Sequence, residues 1–309
     1  MKYLMYISLF TFLASSCTRR AAIPMEPMEK TYEQFRSTQQ TFASSDGDIK
    51  YVDEGSGPVI VLAHGVPTSS WLYRKMIPGL VAKGYRVIAP DMLGFGSSAS
   101  PDGYEVYSAE NHGKRLHALM ASLDINEWTH VMHDAGGLWT WEMLKQDPSK
   151  VNRLVILNTL ILEAGFDPPM RMRKGPIAKV SMWSYRVFTK IMLGQLFKIG
   201  LKEDNISKAE REGYRRPLRE KKTKGMYYFF TQTKKPLPEY APLLNDLDIP
   251  SMVIWGQEDE MLLWTPQADE VTKALKIAND DIHIIDAKHF IQEEKPEEVN
   301  KLILDFMSK

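Results

Sequence analysis

Six short apolar runs recur along the chain: PVIVLAH (58–64), YRVIAPD (85–91), THVMHD (129–134), RLVILNT (153–159), SMVIWG (251–256) and IHIIDA (282–287). No other feature narrows the fold as much. A strand with one wet face alternates apolar and polar residues, whereas these runs are apolar nearly throughout, as strands covered on both faces must be. Helices must then pack above and below, and parallel strands need crossovers long enough to supply them. The segments from Ser70 to Val81, Tyr107 to Leu123, Gly137 to Gln146 and Pro296 to Met307 carry helical spacing. The expectation is an α/β fold, a mostly parallel sheet flanked by helices.

That rhythm breaks between Gly165 and Tyr240, which reads as several helices without a strand run. It predicts a helical cap over residues 165–245, inserted between a first part of the core (41–164) and a second (246–309). The break is also a break in charge. Gly165 to Tyr240 holds 18 Lys plus Arg and 7 Asp plus Glu, so 18 − 7 = +11, and a chain of net charge zero is −11 elsewhere. A solvated face accounts for such a surplus, and so does attraction to anionic lipid headgroups. The neutral total gives no reason to expect nucleic acid as a partner, and 44% hydrophobic residues exclude a disordered chain.

The chain begins MKYLMYISLFTFLASSC, an apolar run from Tyr3 to Ala14 that is short for a bilayer span and suits an export signal over residues 1–17. Cys17 is the only cysteine, so no internal disulfide can form. Placed after Ala14-Ser15-Ser16, it resembles the lipid-acceptor cysteine of bacterial lipoproteins, although Leu13 stands four places before it and Ala14 three. That resemblance implies an exported protein held on a membrane by a lipid anchor. Residues 18–40 then read as a polar tether.

Chemistry concentrates at the ends of the apolar runs. HVMHD followed directly by AGG and a helical stretch has the shape of a sharp strand-to-helix turn that exposes one side chain, Asp134. Small neighbours are what such a turn needs, and Ala135, Gly136 and Gly137 supply them. HGVPTSSW (64–71) is a turn that can aim the backbone N–H of Val66 at a developing oxyanion, with the N–H of Ala135 as the second donor. WGQEDEML (255–262) puts Asp259 just past one strand, and DAKHFIQEE (286–294) puts His289 just past the next. Nucleophile, acid and base thus follow in chain order. An aspartate capping the next helix would look the same at position 134 taken alone.

From about Tyr51 to its end the chain resembles the α/β-hydrolases, in the group of haloalkane dehalogenases and epoxide hydrolases. HGVPTSSWLYRKMIP, RVIAPDMLGFGSS, VMHDAGG, LVILNT and IWGQEDEMLLWTP look most like the haloalkane dehalogenase branch. The resemblance implies an eight-stranded, mostly parallel sheet with a helical cap. It implies Asp134 as nucleophile, His289 as base and Asp259 as the acid that orients it. Another dehalogenase branch carries that acid after the earlier strand, where this chain has Asn158, which cannot be an anion. A carboxylate, with an ordinary pKa of about 3.9, is ionised at neutral pH and can attack saturated carbon, which leaves an ester for water to cleave.

The leaving-group side departs from the pattern. Haloalkane dehalogenases typically carry tryptophan after the nucleophile, where this chain has Ala135, and often a polar residue where it has Val66. Trp183 precedes the motif Tyr214-Arg215-Arg216-Pro217 by 214 − 183 = 31 residues, about where the cap tryptophan of those enzymes falls. Trp183 and Tyr214 are therefore candidate leaving-group or substrate contacts. Epoxide opening would instead use cap tyrosines, among which Tyr185, Tyr214, Tyr227 and Tyr228 are available. The sequence thus predicts a hydrolase of a small organic substrate, with epoxide hydrolysis or a non-catalytic ligand-binding lipoprotein as alternatives. His64, His133, Trp139 and Trp141 read as structural. No metal spacing and no phosphate loop is present, so no cofactor is expected.

Overall fold

Strands hidden on both faces must satisfy every backbone donor and acceptor sideways, and one continuous sheet does this. The computed structural model describes residues 30–167 and 171–309, so the expected export signal, Cys17 and the first part of the expected tether lie outside the described residues. The strands are β1 (Gln40–Ser44), β2 (Gly47–Glu54), β3 (Val59–Ala63), β4 (Arg86–Pro90), β5 (Trp128–Asp134), β6 (Val151–Thr159), β7 (Ser251–Gly256) and β8 (Ile282–Ile285). They lie in the order β1-β2-β4-β3-β5-β6-β7-β8. β1 pairs antiparallel with β2 and β2 with β4, and every pairing from β4 to β8 is parallel. All six apolar runs are strands of this sheet. β5 and β7 are buried along nearly their whole length.

The helices are α1 (Tyr32–Thr38), α2 (Ile77–Ala82), α3 (Ala109–Ser122), α4 (Gly136–Gln146), α5 (Pro176–Val187) and α6 (Thr189–Gly200). They continue as α7 (Lys208–Arg219), α8 (Lys224–Gln232), α9 (Ala241–Asp246), α10 (Ala268–Ala274), α11 (Ile291–Glu294) and α12 (Pro296–Met307). The helix expected from Ser70 is split: Ser69 caps a 3-10 turn over Ser70–Tyr73, and α2 starts afresh with Pro78 in its first turn. The stretch without strand runs forms α5 to α8, between β6 and β7.

The expected tether to residue 40 needs correction, because the chain is folded from Thr31 onward. A reciprocal pair of bonds between Thr31 and Gln34 starts α1, and Tyr32 and Phe35, three apart, bury edge-on against Trp71 with ring centroids 5.3 and 5.0 Å away. Two apolar residues on one helical face outweigh a polar composition.

The inserted helices are tied to the sheet by charge. Arg74, buried after the 3-10 turn, bonds to Glu210 of α7 and to Glu293 of α11, and its guanidinium lies 4.7 Å from the Trp71 ring centroid. Lys75 bridges the same two carboxylates at 2.8 and 3.1 Å, and the Tyr214 hydroxyl donates to Glu293. Trp71 Nε1 donates to the backbone of Glu210 at 2.9 Å. Removing Arg74 would leave two buried carboxylates sharing the single cation of Lys75, at a cost of about 3–5 kcal/mol.

Candidate active site

β3 and β5 are neighbours, and the crossover from β3 runs to β4 on one side while that from β5 runs to β6 on the other, which opens a crevice at their carboxyl ends. Asp134 ends β5 at that crevice with φ 51°, a left-handed conformation that a non-glycine residue holds only when its surroundings enforce it. The enforcement comes from close packing. A Cβ on Gly136 would stand 2.6 Å from the Ala63 carbonyl, and one on Gly65 would stand 2.2 Å from Asp134 Oδ1. Only glycine at 65 leaves room for the carboxylate to lie against the turn after β3.

There Asp134 Oδ1 accepts the Val66 N–H at 2.6 Å, and the neighbouring Ala135 N–H also favours the charged carboxylate. The other oxygen, Oδ2, is 3.6 Å from His289 Nε2, which is too long for a hydrogen bond. The far side of the ring is tightly held, with His289 Nδ1 2.8 Å from Asp259 Oδ2. Asp259, at the end of β7, accepts the N–H groups of Met261 at 2.9 Å and Leu262 at 3.1 Å. The fold therefore brings together Asp134, His289, Asp259, Val66 and Ala135.

Asn158 is the residue that sequence reasoning undervalued. Its Nδ2 donates to Asp259 Oδ2 at 2.7 Å and its Oδ1 accepts the Gly256 N–H at 2.9 Å. An amide has both a donor and an acceptor, so it can join a carboxylate to a backbone N–H as an acid could not. The available signal was a polar residue closing the apolar run Leu154-Val155-Ile156-Leu157. His64 and His133 are structural, as expected. His64 Nε2 accepts the Met92 N–H at 2.9 Å, and His133 Nε2 donates to the backbone carbonyl of His289 at 3.0 Å. Burial pushes His64 down to about 4.

Charge in the cluster is finely opposed. Burial raises the Asp134 carboxyl above its ordinary value despite the pull of His289 and the two backbone N–H groups. Asp259 is also opposed by burial, yet His289 and the surrounding donors hold it below the ordinary carboxylate value. Burial works against a charged His289, but the attraction of Asp259, its hydrogen bond and the attraction of Asp134 together raise the imidazole. A carboxylate with one oxygen held by the Val66 N–H and the other facing an anchored imidazole is arranged for attack on carbon followed by base-assisted hydrolysis.

The other candidates lie elsewhere. Trp183, on α5, is 51% exposed and packs edge-on against Phe188 at 5.9 Å. Tyr214 is buried with its hydroxyl bonded to Glu293. Tyr228 packs on Tyr104 at 4.6 Å, and burial raises the Tyr185 hydroxyl. Trp141 is core, with Nε1 donating to the Leu160 carbonyl at 2.8 Å. Trp139 packs 4.8 Å from His112 and also lines a cavity of about 320 Å³ with Phe95, Leu138, Tyr228 and Tyr240. Asp134 is not part of that cavity wall, and its side chain is 14% exposed. Among the described residues no cluster of His, Cys, Asp and Glu could hold a metal ion.

The alpha/beta hydrolase fold family matches residues 58–296. A haloalkane dehalogenase from Mycolicibacterium paratuberculosis is 31% identical over 275 residues, covering 84% of this chain and 87% of that protein. A cis-3-alkyl-4-alkyloxetan-2-one decarboxylase from Shewanella oneidensis is 28% identical, over 87% of this chain and 88% of its own length. Among solved structures, an epoxide hydrolase from Vigna radiata superimposes with a TM-score of 0.72 at 18% identity, over 87% of this chain and 97% of that one.

Proposed function

The chain belongs to the α/β-hydrolase family, in its haloalkane dehalogenase and epoxide hydrolase group, and from that premise we propose a hydrolase working through an aspartyl ester on Asp134. The observation that carries the reading is the unequal use of the two Asp134 oxygens: Oδ1 bonded to the Val66 N–H at 2.6 Å, Oδ2 unbonded 3.6 Å from His289.

Oδ2 attacks an electrophilic sp³ carbon, the bond from carbon to the leaving group breaks, and that group departs with the electron pair. Oδ1 becomes the carbonyl oxygen of the ester and stays on the Val66 N–H, with the Ala135 N–H as the proposed second donor. Water then attacks Cγ and passes a proton to His289 Nε2, while negative charge gathers on Oδ1 where the N–H groups already point. Collapse expels the alkoxide, which takes the proton back from the imidazolium. The carboxylic acid left at Asp134 gives its remaining proton to the neutral imidazole and on to solvent, which restores the carboxylate. Asp259 holds the ring and stabilises its charged form.

Alkylation also switches the base. It removes the charge of Asp134, one of the influences that raise His289. The imidazole thereby becomes easier to deprotonate at the step that needs it neutral.

A small organohalide with a good leaving group is the proposed substrate. Position 135 offers a departing halide no side-chain donor, and a missing charge-assisted hydrogen bond of about 1.5–3 kcal/mol lowers the rate on the order of tenfold to a hundredfold. Bromides and iodides should therefore outrun chlorides. Incubation with 1,2-dibromoethane and with styrene oxide tests the assignment. Bromide release supports it, diol alone moves it to epoxide hydrolysis, and a folded protein inert to both rejects it. Multiple turnovers in heavy-oxygen water should place label in the Asp134 carboxylate. Export with lipidation at Cys17 is proposed from sequence alone, and loss of radiolabelled fatty acid from a Cys17→Ser protein tests it.

A further inference from the structure

We propose that the outer face of α5 and α6 is a docking surface for an anionic phospholipid bilayer. α5 is apolar on two sides. Ala178 and Met182 are buried, while Ile177 is 82% exposed, Val180 62%, Trp183 51% and Val187 53%. At about 100° per residue those four fall within roughly a third of the helix circumference. Phe188 and Ile191, 48% and 61% exposed, extend the face into α6. Scattered exposed apolar residues are ordinary, but a contiguous set along two successive helices marks a contact surface.

The charge around it selects the occupant. From Pro168 to Lys202 the chain carries Arg171, Arg173, Lys174, Lys179, Arg186, Lys190, Lys198 and Lys202, with no Asp or Glu. Among the described residues, Lys179, Lys190 and Lys198 are exposed and make no ion pair. By contrast, Lys114 pairs with Glu110 and Lys301 with Asp305 one helical turn away.

Beside the apolar face, Lys190, Lys208, Arg211 and Arg215 rim a hollow of about 550 Å³ floored by Leu193, Gly194 and Phe197. Arg211 bonds to Asp204 and Arg215 lies 3.8 Å from Glu212, yet Arg215 Nε is buried without a partner. An apolar floor under a cationic rim fits a phosphate headgroup with its glycerol. A second copy fits poorly, because a two-fold contact would set this basic face against itself. A bilayer offers both complements, an anionic surface for the cations and an apolar boundary where tryptophan settles.

Trp183 reports the contact. The full-length protein is mixed with phosphatidylethanolamine–phosphatidylglycerol vesicles whose acyl chains are brominated, and the emission missing from Trp183→Phe is followed. The apolar run Tyr3 to Ala14 is common to every variant, so the readout is the depth of Trp183 and not the amount of protein bound. Trp183 emission should be quenched and shifted to the blue. The ratio of quenched to unquenched Trp183 should fall about fivefold for each of Lys179, Lys190 and Lys198 changed to alanine, and should fall with added salt. Val180→Ser with Ile191→Ser should lose the quenching as well. Unaltered emission overturns the proposal. So does equal quenching on phosphatidylcholine that ignores salt, or a blue shift that follows protein concentration without lipid, the mark of a second copy.

Discussion

Two buried clusters of charge sit in this molecule, and they are built to opposite ends. Around Arg74 the charges balance, two cations against Glu210 and Glu293, and Tyr214 and Trp71 fill the remaining contacts. Around His289 they do not. Asp134 and Asp259 flank a single imidazole, and the 3.6 Å contact with Asp134 stays open. Burial of charge therefore does not by itself distinguish a structural lock from a reactive centre. The distinction is whether the cluster is satisfied before anything binds. The charges of the Arg74 cluster are, although Arg74 Nε is buried without a partner, and the cluster ties inserted helices to sheet. The His289 cluster has one oxygen without a donor; burial raises its Asp134 carboxyl, and the pull of Asp259 and Asp134 raises its imidazole against burial.

Substitutions can break the contrast in graded steps. Asp134→Ala should lower kcat/KM for a brominated substrate by about 10⁴-fold or more, while the thermal midpoint holds or rises because a costly buried charge is gone. Activity within tenfold of the parent would refute the role of Asp134. In His289→Ala the ester should form and persist, seen as a protein mass increased by the alkyl group, with turnover lost. The opposite pattern belongs to the structural cluster: Arg74→Met should cost about 3–5 kcal/mol in denaturant unfolding with little change in kcat per folded molecule. Loss of kcat without loss of stability would show that the two clusters are coupled. Asn158→Ala, which strips a donor from a buried carboxylate, should cost about 1–3 kcal/mol.

The smallest effect is a titration. His289 is raised above 6.5 in the folded chain, so its protonated form contributes stability that is complete below the unfolded value and is lost as pH rises through the folded one. Asp134→Asn removes one anion beside the ring. Proton NMR should therefore show His289 titrating at lower pH than in the parent, and the stability contribution should end correspondingly earlier. An unmoved titration would mean that Asp134 does not sense the imidazole.

Strands covered on both faces were plain in the sequence, because a run such as SMVIWG allows few other fates. β1 and β2 were not, since QTFAS is short and mostly exposed, and its partner mixes Ile49, Tyr51 and Val52 with charged neighbours. α1 hid for a similar reason, with its anchor Trp71 distant in the chain. Asp134, Asp259 and His289 could be picked out because each follows a recognisable strand. Asn158 could not be given its part, as its value lies in meeting Asp259 and Gly256 across about a hundred residues. Which cap side chains face Asp134 has no periodic signature, and the prominence given to Trp183 sits uneasily with its exposed position.

The amide of Val66 is engaged before any substrate arrives, since Asp134 already rests an oxygen on it. Boronic acids and phosphonates disarm serine hydrolases by seating their own oxygen between such amides. Here that seat is taken by the protein itself. Compounds of that kind should pass this enzyme by, and under the proposed aspartyl-ester route an inhibitor would be an alkylating agent that the protein can accept but not discharge.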